Sequence, residues 1–277
     1  MATSQKIDIV RQLGELGVWM LSLSGGEPFL MDDIYEVIKK AKKNKILLNI
    51  TTNGYFLKEN AEKIINQKVD FLTVSLDADN AKEHDENRGL NGLFNRALDG
   101  IKYIKKQRKG KKPFISIRCI VHGGNIGRIG KIIDFLKNYG DEVLLQPIHS
   151  SERINFMPEK NMLEITEKDA NLFISALKKR NMLNSYNKMI PKFLKNPTSI
   201  KTKCFSMYFF IEIDENGLLW NCGEHIIKLG DLKKDSLKSI LKSSRYGEIK
   251  SEFEKKRNCI CWHNCAMLNA YLSKVLK

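Results

Sequence analysis

Leu21-Ser22-Leu23-Ser24-Gly25-Gly26-Glu27-Pro28-Phe29-Leu30 is the stretch around which the rest of the chain is organised. The apolar run from Trp19 to Leu23 predicts a short strand buried on both faces. Gly25 and Gly26 follow at once, then Glu27 and Pro28, and Met31-Asp32-Asp33 opens a helical pattern. Such a turn leaves bare backbone N–H and C=O groups at the carboxyl end of a strand, where α/β sheets bind their ligands. Glycine admits a ligand close to the main chain, Pro28 stiffens the exit, and Glu27 adds one fixed carboxylate. Taken as four residues alone, the turn is equally an ordinary strand-to-helix connection.

Outward from this turn the chain alternates. Thr3-Ser4 caps a first helix reaching Leu16, with Ile7, Val10, Leu13 and Leu16 on one face. Helices are expected at Ile34 to Lys43, Glu59 to Gln67, Leu93 to Lys106 and Ile126 to Asn138. Strands are expected at Ile46 to Thr51, Phe71 to Leu76, Phe114 to Val121 and Val143 to Ile148. His84 to Gly89 reads as a loop. Strand and helix joined by short connections predict a parallel sheet with right-handed crossovers. In such an array the strand ends converge on one face, and here they read Gly25-Gly26-Glu27, Thr52-Asn53, Ser75 with Asp77, Arg118, and Gln146-Pro147. Hydroxyl, carboxylate, amide and guanidinium groups in this order suit a zwitterionic amino acid joined to a nucleoside.

From Thr166 the rhythm changes. A capped helix runs to Lys179, a second covers Tyr186 to Lys195, and Met207 to Ile213 is an apolar β run. Asp214-Glu215-Asn216-Gly217 makes a hairpin turn into a return strand, Leu218 to Asn221, and Ser236 to Phe253 is helical. The chain has 277 residues, enough for one large domain or one domain with a smaller partner. No run approaches a transmembrane helix and the first residues lack the apolar core of a signal peptide, so a cytoplasmic protein with no membrane role is expected. A formal net charge of +15 would suit nucleic acid, an anionic surface or an acidic peptide. The lysines, however, fall on predicted helix surfaces such as Lys39-Lys40 and Lys105-Lys106, without interleaved aromatics. That pattern is a solvated surface and argues against nucleic acid.

Cysteine usage is the sharper signal. Cys119 lies alone in an apolar strand and reads as a small buried residue, whereas Cys204, Cys222, Cys259, Cys261 and Cys265 all fall in the last third. In a cytoplasmic chain such clustering argues for metal over disulfides. Cys204 and Cys222 stand at the two ends of the predicted hairpin, so their thiolates can share a site, and Cys261-x3-Cys265 places two more within one helical turn. Four thiolates hold either a 4Fe–4S cluster or tetrahedral zinc, and ligand type alone leaves both open.

Gly25-Gly26-Glu27-Pro28 after an early strand resembles the GGEP motif of radical S-adenosylmethionine (SAM) enzymes. The resemblance extends over nearly the whole chain: a strand ending in Thr52-Asn53-Gly54, one ending in Ser75-x-Asp77, and His84-Asp85-x-x-Arg88-Gly89 with Phe94 downstream. Cys204-x12-Gly217-x4-Cys222 is similar to the opening of the SPASM/twitch auxiliary-cluster domain. The resemblance implies an α/β fold in which a partial (β/α)6 TIM-like barrel is followed by a small α+β iron–sulfur domain, with domains 1–160 and 161–277. It implies that Gly25, Gly26, Glu27 and Pro28 hold the SAM amino group, with Thr52 and Asn53 at the next strand end. Ser75 with Asp77 would take the ribose, Arg118 the carboxylate, and the residues around Gln146 the adenine. Cys204, Cys222, Cys261 and Cys265 would hold an auxiliary 4Fe–4S cluster, with Cys259 as substitute for one of the last pair.

The pattern departs from the family at one place. The family carries Cys-x3-Cys-x2-Cys after its first strand, and no cysteine occurs here before Cys119, so that strand and its cluster loop are missing from this sequence. The expectation is a parent enzyme that cleaves SAM reductively, using an external electron donor, to a 5′-deoxyadenosyl radical that abstracts hydrogen from a substrate. The catalytic 4Fe–4S cluster would belong to that parent, and this chain would be inactive alone. A peptide is one candidate substrate. Two further readings are a non-catalytic SAM- or cluster-binding partner and a zinc-stapled nucleic-acid-binding module.

Overall fold

The computed structural model describes residues 1–151, 156–196, 206–223 and 227–255. These divide into two compact units. One comprises Ala2–Ile120 with Lys131–Leu145, and the other Val121–Gly130 with Gln146 onward, together with Met1.

The first unit holds strands β1 (Met20–Leu23), β2 (Leu47–Thr52), β3 (Phe71–Ser75), β4 (Phe114–Val121) as far as Ile120 and β5 (Glu142–Pro147) as far as Leu145, ordered β1-β2-β3-β4-β5 in one sheet. The first three pairings are parallel, and each crossover carries helix: α2 (Ile34–Lys43), α3 (Leu57–Asn66), and α4 (Ala81–Arg88) with α5 (Leu93–Gln107). Before them stands α1 (Thr3–Glu15), and α6 (Ile129–Leu136) lies between β4 and β5. Alternation along the strands separates two faces. Leu48, Ile50, Leu72, Val74, Ile115 and Ile117 are wholly buried on one, as are Ile38 of α2, Ile64 of α3 and Ile101 of α5. Helix α3 can approach α5 closely because Gly100 lacks a Cβ, which would stand 2.7 Å from that of Leu57.

The amino end of the sheet is fixed by charge. Arg108 donates to both carboxylate oxygens of Asp141 at 2.6 and 2.7 Å, and Asp141 also accepts from the Ile115 N–H. The Arg108 bonds hold the Asp141 carboxyl below the usual carboxylate range, against the opposing effect of burial. Asp70, nearly sealed from solvent, accepts from Lys42, Lys112 and the Leu48 N–H.

Three local expectations are corrected. Strand β1 is not buried on both faces but forms the sheet edge, with Ser22 exposed and Trp19 67% exposed. His84 lies in helix α4, not a loop; Asn80 caps that helix by accepting from the Glu83 N–H, and its polar sequence gave no amphipathic signal. Helix α10 (Ser206–Phe209) takes up the start of the β run expected from Met207, leaving β6 (Glu212–Ile213) as a short strand.

The second unit contains α7 (Lys160–Leu163), α8 (Glu167–Lys179) and α9 (Ile190–Lys195). Thr166 caps α8 through a reciprocal box with Asp169, as its sequence predicts. Beyond α10, strands β6, β7 (Leu218–Trp220) and β8 (Lys228–Asp231) form an antiparallel sheet. Asp214 ties the β6–β7 turn, accepting from the Asn216 and Leu218 N–H groups and from the Trp220 indole. The expected helix after Ser236 is two, α11 (Leu237–Lys242) and α12 (Ser244–Lys255). Ser243 causes the break: its hydroxyl donates to the Ile240 carbonyl and accepts from the Tyr246 N–H. Among the described residues no helix is long and apolar enough to cross a membrane.

Candidate functional site

At the end of β1 the chain turns through Gly25, whose φ of +135° suits glycine, and Gly26. Both are exposed, and a Cβ at either would meet nothing within 4 Å, so their backbone stands open to an approaching group. Glu27 shapes this turn rather than projecting freely from it. Its carboxylate accepts from the Thr52 hydroxyl at 2.8 and 2.9 Å, the Asn53 N–H at 2.9 Å and the Phe29 N–H at 3.2 Å. Thr52 in turn accepts from the Gly54 N–H at 2.9 Å. Gly54 has φ +92°, and a Cβ there would lie 2.6 Å from that of Ala97. Glu27, Thr52 and Asn53, singled out separately in the sequence, thus form one clamp joining the ends of β1 and β2. Pro28 is buried and starts a 3-10 turn, Pro28–Leu30.

The sheet face opposite the helices is polar. Thr51, Thr73 and Ser116 are in register across β2, β3 and β4, and one step nearer the carboxyl ends Ser75 is in register with Arg118. Neighbouring strands lie about 4.8 Å apart, so Ser75 and Arg118 can contact one ligand. Asn49 links the row beneath: its amide donates to the Ser22 hydroxyl at 2.9 Å and accepts from Thr73 at 3.1 Å. Ser116 donates to Glu142. Phe71 and Phe114, 6.5 Å apart edge to face, floor this surface at its amino end. Asn49, Thr73, Ser116 and Glu142 escaped the sequence reading, although their alternation with buried aliphatics was visible in it.

Asp77 has a different place. It is buried, accepting from Arg88 Nε at 2.6 Å and the Ile120 N–H at 2.8 Å, while its own N–H donates to His84 Nδ1 at 3.2 Å. The bond to Nδ1 puts the imidazole proton on Nε2, which has no acceptor among the described residues. Burial, helped by the Arg88 charge, holds the His84 pKa below its ordinary 6.5, with Asp77 and Asp85 pulling the other way. Asp85 accepts from the Gly92 and Phe94 N–H groups at 2.6 and 2.9 Å, capping α5 in place of the side chain Gly92 lacks. Phe94 packs 5.6 Å from His84 and 5.7 Å from Phe135. The His84-Asp85-x-x-Arg88-Gly89…Phe94 pattern is therefore a buckle holding the β3 end against α4, α5 and β4.

In the second unit Gln146 is buried, and its Oε1 has no donor among the described residues. Cys222, also buried, follows β7. Cys204, Cys259, Cys261 and Cys265 lie outside the described residues. Cys119 is wholly buried with its thiol directed at the Asp77 carbonyl, and burial raises its pKa, as suits a packed, inert thiol.

Residues 3–153 match the family model of the Radical SAM superfamily, and residues 204–266 match that of the SPASM iron–sulfur cluster-binding domain. This chain belongs to the radical SAM superfamily. A probable GTP 3′,8-cyclase of Methanococcus aeolicus is 27% identical over 252 residues, spanning 87% of this chain and 78% of that protein. An AdoMet-dependent heme synthase of Methanosarcina barkeri is 33% identical over 141 residues, 50% of this chain and 39% of that protein. Among solved structures, anSMEcpe with bound AdoMet shares the fold with TM-score 0.68 at 15% identity, covering 94% of this chain and 72% of that one. Streptococcus suis SuiB bound to S-adenosylmethionine follows at 0.66 and 21%, covering 91% and 61%.

The superfamily and the SPASM domain bring SAM and 4Fe–4S clusters as cofactors. The residues present fit them. In the first unit the open Gly25-Gly26 backbone and the Ser75–Arg118 pair offer polar groups of the kind an amino acid and a ribose require, and in the second unit the buried Gln146 Oε1 has no donor among the described residues. Cys222, just after β7, is a buried thiol of the donor type that a 4Fe–4S cluster takes.

Proposed function

We propose that this chain is the SAM-binding and auxiliary-cluster part of a radical SAM enzyme that acts on a peptide in the cytoplasm. SAM, once bound and reduced by a cluster, supplies a hydrogen-abstracting radical; the residues here orient it and receive the substrate. The observation that carries the reading is the Ser75–Arg118 pair in register on the polar sheet face. Arg118 would hold the SAM carboxylate by its guanidinium fork, and Ser75 the ribose. The Glu27–Thr52–Asn53 clamp presents the Gly25-Gly26 backbone to the amino group.

The substrate class follows from what the same face offers. Among the described residues of β1 to β5 it carries one cation, Arg118, and one carboxylate, Glu142, amid hydroxyls and the Asn49 amide. Such a nearly neutral wall suits an amide-rich peptide better than a triphosphate, which wants several cations. Solved neighbours of the same fold carry bound peptides: anSMEcpe with the Cp18Cys peptide, and SuiB with the precursor peptide SuiA. The cyclase relatives favour the other reading, a nucleotide.

Equilibrium dialysis of the purified, cluster-loaded chain with labelled SAM tests the core of this reading. Micromolar binding that weakens at least tenfold in Arg118→Ala supports it; no binding at millimolar SAM sinks it. Competition by GTP but not by basic or acidic peptides would move the substrate to the nucleotide class.

A further inference from the structure

The amino end of the five-stranded sheet, away from the proposed site, gathers lysines that stand far apart in the sequence. Each connection into β2, β3, β4 and β5 brings exposed lysine there: Lys45, Lys68, Lys109 with Lys111, and Lys137. None of these has an ion-pair partner among the described residues, and the carboxylates near them are engaged. Asp70 is held by Lys42 and Lys112, Asp141 by Arg108 and Glu15 by Arg11, while Glu142 accepts from Ser116. Cations in the last turn of a helix suit its dipole, but Lys111 lies past the α5 cap, Arg108, in the turn before β4. Lys45 and Lys68 follow α2 and α3 with φ of +58° and +55°, a left-handed backbone for which glycine is the usual choice. Helix termination thus gives no reason for lysine at these positions. The connection into β1 instead exposes Leu16 and, more fully, Trp19. It adjoins the Lys45 connection, since the Trp19 carbonyl accepts the Leu47 N–H at 2.9 Å.

We propose that this end of the first unit docks on an anionic lipid surface, with the lysines against the headgroups and Trp19 and Leu16 entering the headgroup boundary. The proposal is independent of the SAM reading. Lasting attachment to a bilayer takes two signals, charge and an inserted apolar group, and both stand on adjoining connections here. Tryptophan favours this boundary, where its indole meets acyl chains and polar headgroups together. A single-stranded nucleic acid would instead want a groove with several stacking aromatics among its cations, and Trp19 is the one exposed aromatic residue on these connections. The orientation also leaves the site open to solution, because Arg118 lies six residues on from Lys112, about 20 Å along the strand direction.

Co-sedimentation of the full chain with vesicles tests this, using phosphatidylcholine alone or with about one part in three of phosphatidylserine. Binding to the anionic vesicles only is expected, falling as added salt screens the lysines. The triple variant Lys45→Glu, Lys68→Glu, Lys111→Glu should weaken it about tenfold, and Trp19→Ser severalfold. A control triple, Lys58→Glu, Lys82→Glu, Lys131→Glu, makes the same change in net charge at exposed positions near the amino ends of α3, α4 and α6. It should bind like the parent chain. Equal loss in the two triples would reduce the effect to net charge and overturn the docking surface. Equal binding to neutral vesicles, or binding to neither, would overturn it as well. Tighter binding to polyuridylate than to anionic vesicles, lost in the first triple alone, would give this end to a nucleic acid and sink the lipid assignment. If the first triple does not fold, Lys45→Gln, Lys68→Gln, Lys111→Gln takes its place, since it removes the charge without reversing it.

Discussion

The two faces of the five-stranded sheet are made from the same strands and differ in every respect that matters for function. Toward the helices, Leu48, Ile50, Leu72 and Val74 are wholly buried aliphatics. On the other face Asn49, Thr51, Thr73 and Ser75 alternate with them along β2 and β3, and Asn49 joins Ser22, Thr51 and Thr73 by side-chain hydrogen bonds. An apolar face drives the sheet onto its helices and leaves nothing to recognise a ligand. A polar face contributes little to that collapse and keeps donors and acceptors available. One face makes the fold and the other carries the proposed site.

Neighbouring residues on one strand give the largest contrast. Ile50→Lys buries an unpaired charge and should destabilise the chain by more than about 5 kcal/mol, enough to prevent folding. Thr51→Lys, one residue on and facing the other way, should stay within about 1 kcal/mol of the parent chain. Urea melts of both variants test this, and equal losses would erase the distinction between the faces.

Asp77 probes the boundary between the two roles. The sequence placed it with Ser75 as a ribose contact, yet its carboxylate is held by Arg88 and the Ile120 N–H. Asp77→Ala leaves Arg88 without its ion-pair partner and should cost about 3–5 kcal/mol. A variant that melts like the parent but loses SAM affinity would return Asp77 to the ligand. Arg118→Ala should do the reverse, weakening SAM about tenfold, or about 1.4 kcal/mol, while leaving the urea midpoint within error.

How legible these roles were depends on the range of the interactions involved. Strands β2 to β5 and helices α2, α3 and α5 follow from apolar periodicity, which is local, and the Gly25-Gly26-Glu27 turn from its residue types. The apolar run alone read β1 as buried on both faces, since such a run looks alike at the centre and the rim of a sheet; the edge was legible only from the strand missing before it. Glu27 and Asp77 were recognised as important carboxylates. Their partners, Thr52 with Asn53 and Arg88 with Ile120, come from elements up to 43 residues away, which no local pattern reveals. Helix α4 was missed because its interior is polar; what holds it is the cap at Asn80 and the single buried face of His84.

His84 supplies the finest test of the buckle behind the polar face. Its imidazole is buried as the neutral form, accepting from the Asp77 N–H. Burial lowers its pKa below 6.5, so the unfolded chain takes up that proton before the folded chain does. The stability it contributes is therefore complete above the unfolded value of 6.5 and is lost as pH falls through the lower folded value. Urea midpoints should decline from pH 6.5 downward, above the range where the paired carboxylates of Asp70 and Asp141 begin to protonate, since both lie below 3.8. His84→Gln keeps an acceptor for the Asp77 N–H and does not titrate, so it should flatten this part of the profile at a modest loss of stability at neutral pH. An unchanged slope in His84→Gln would assign the acid sensitivity to other groups and leave His84 as packing against Phe94. A flattened slope with undiminished SAM binding would show that the buckle serves the fold while the opposite face serves the ligand.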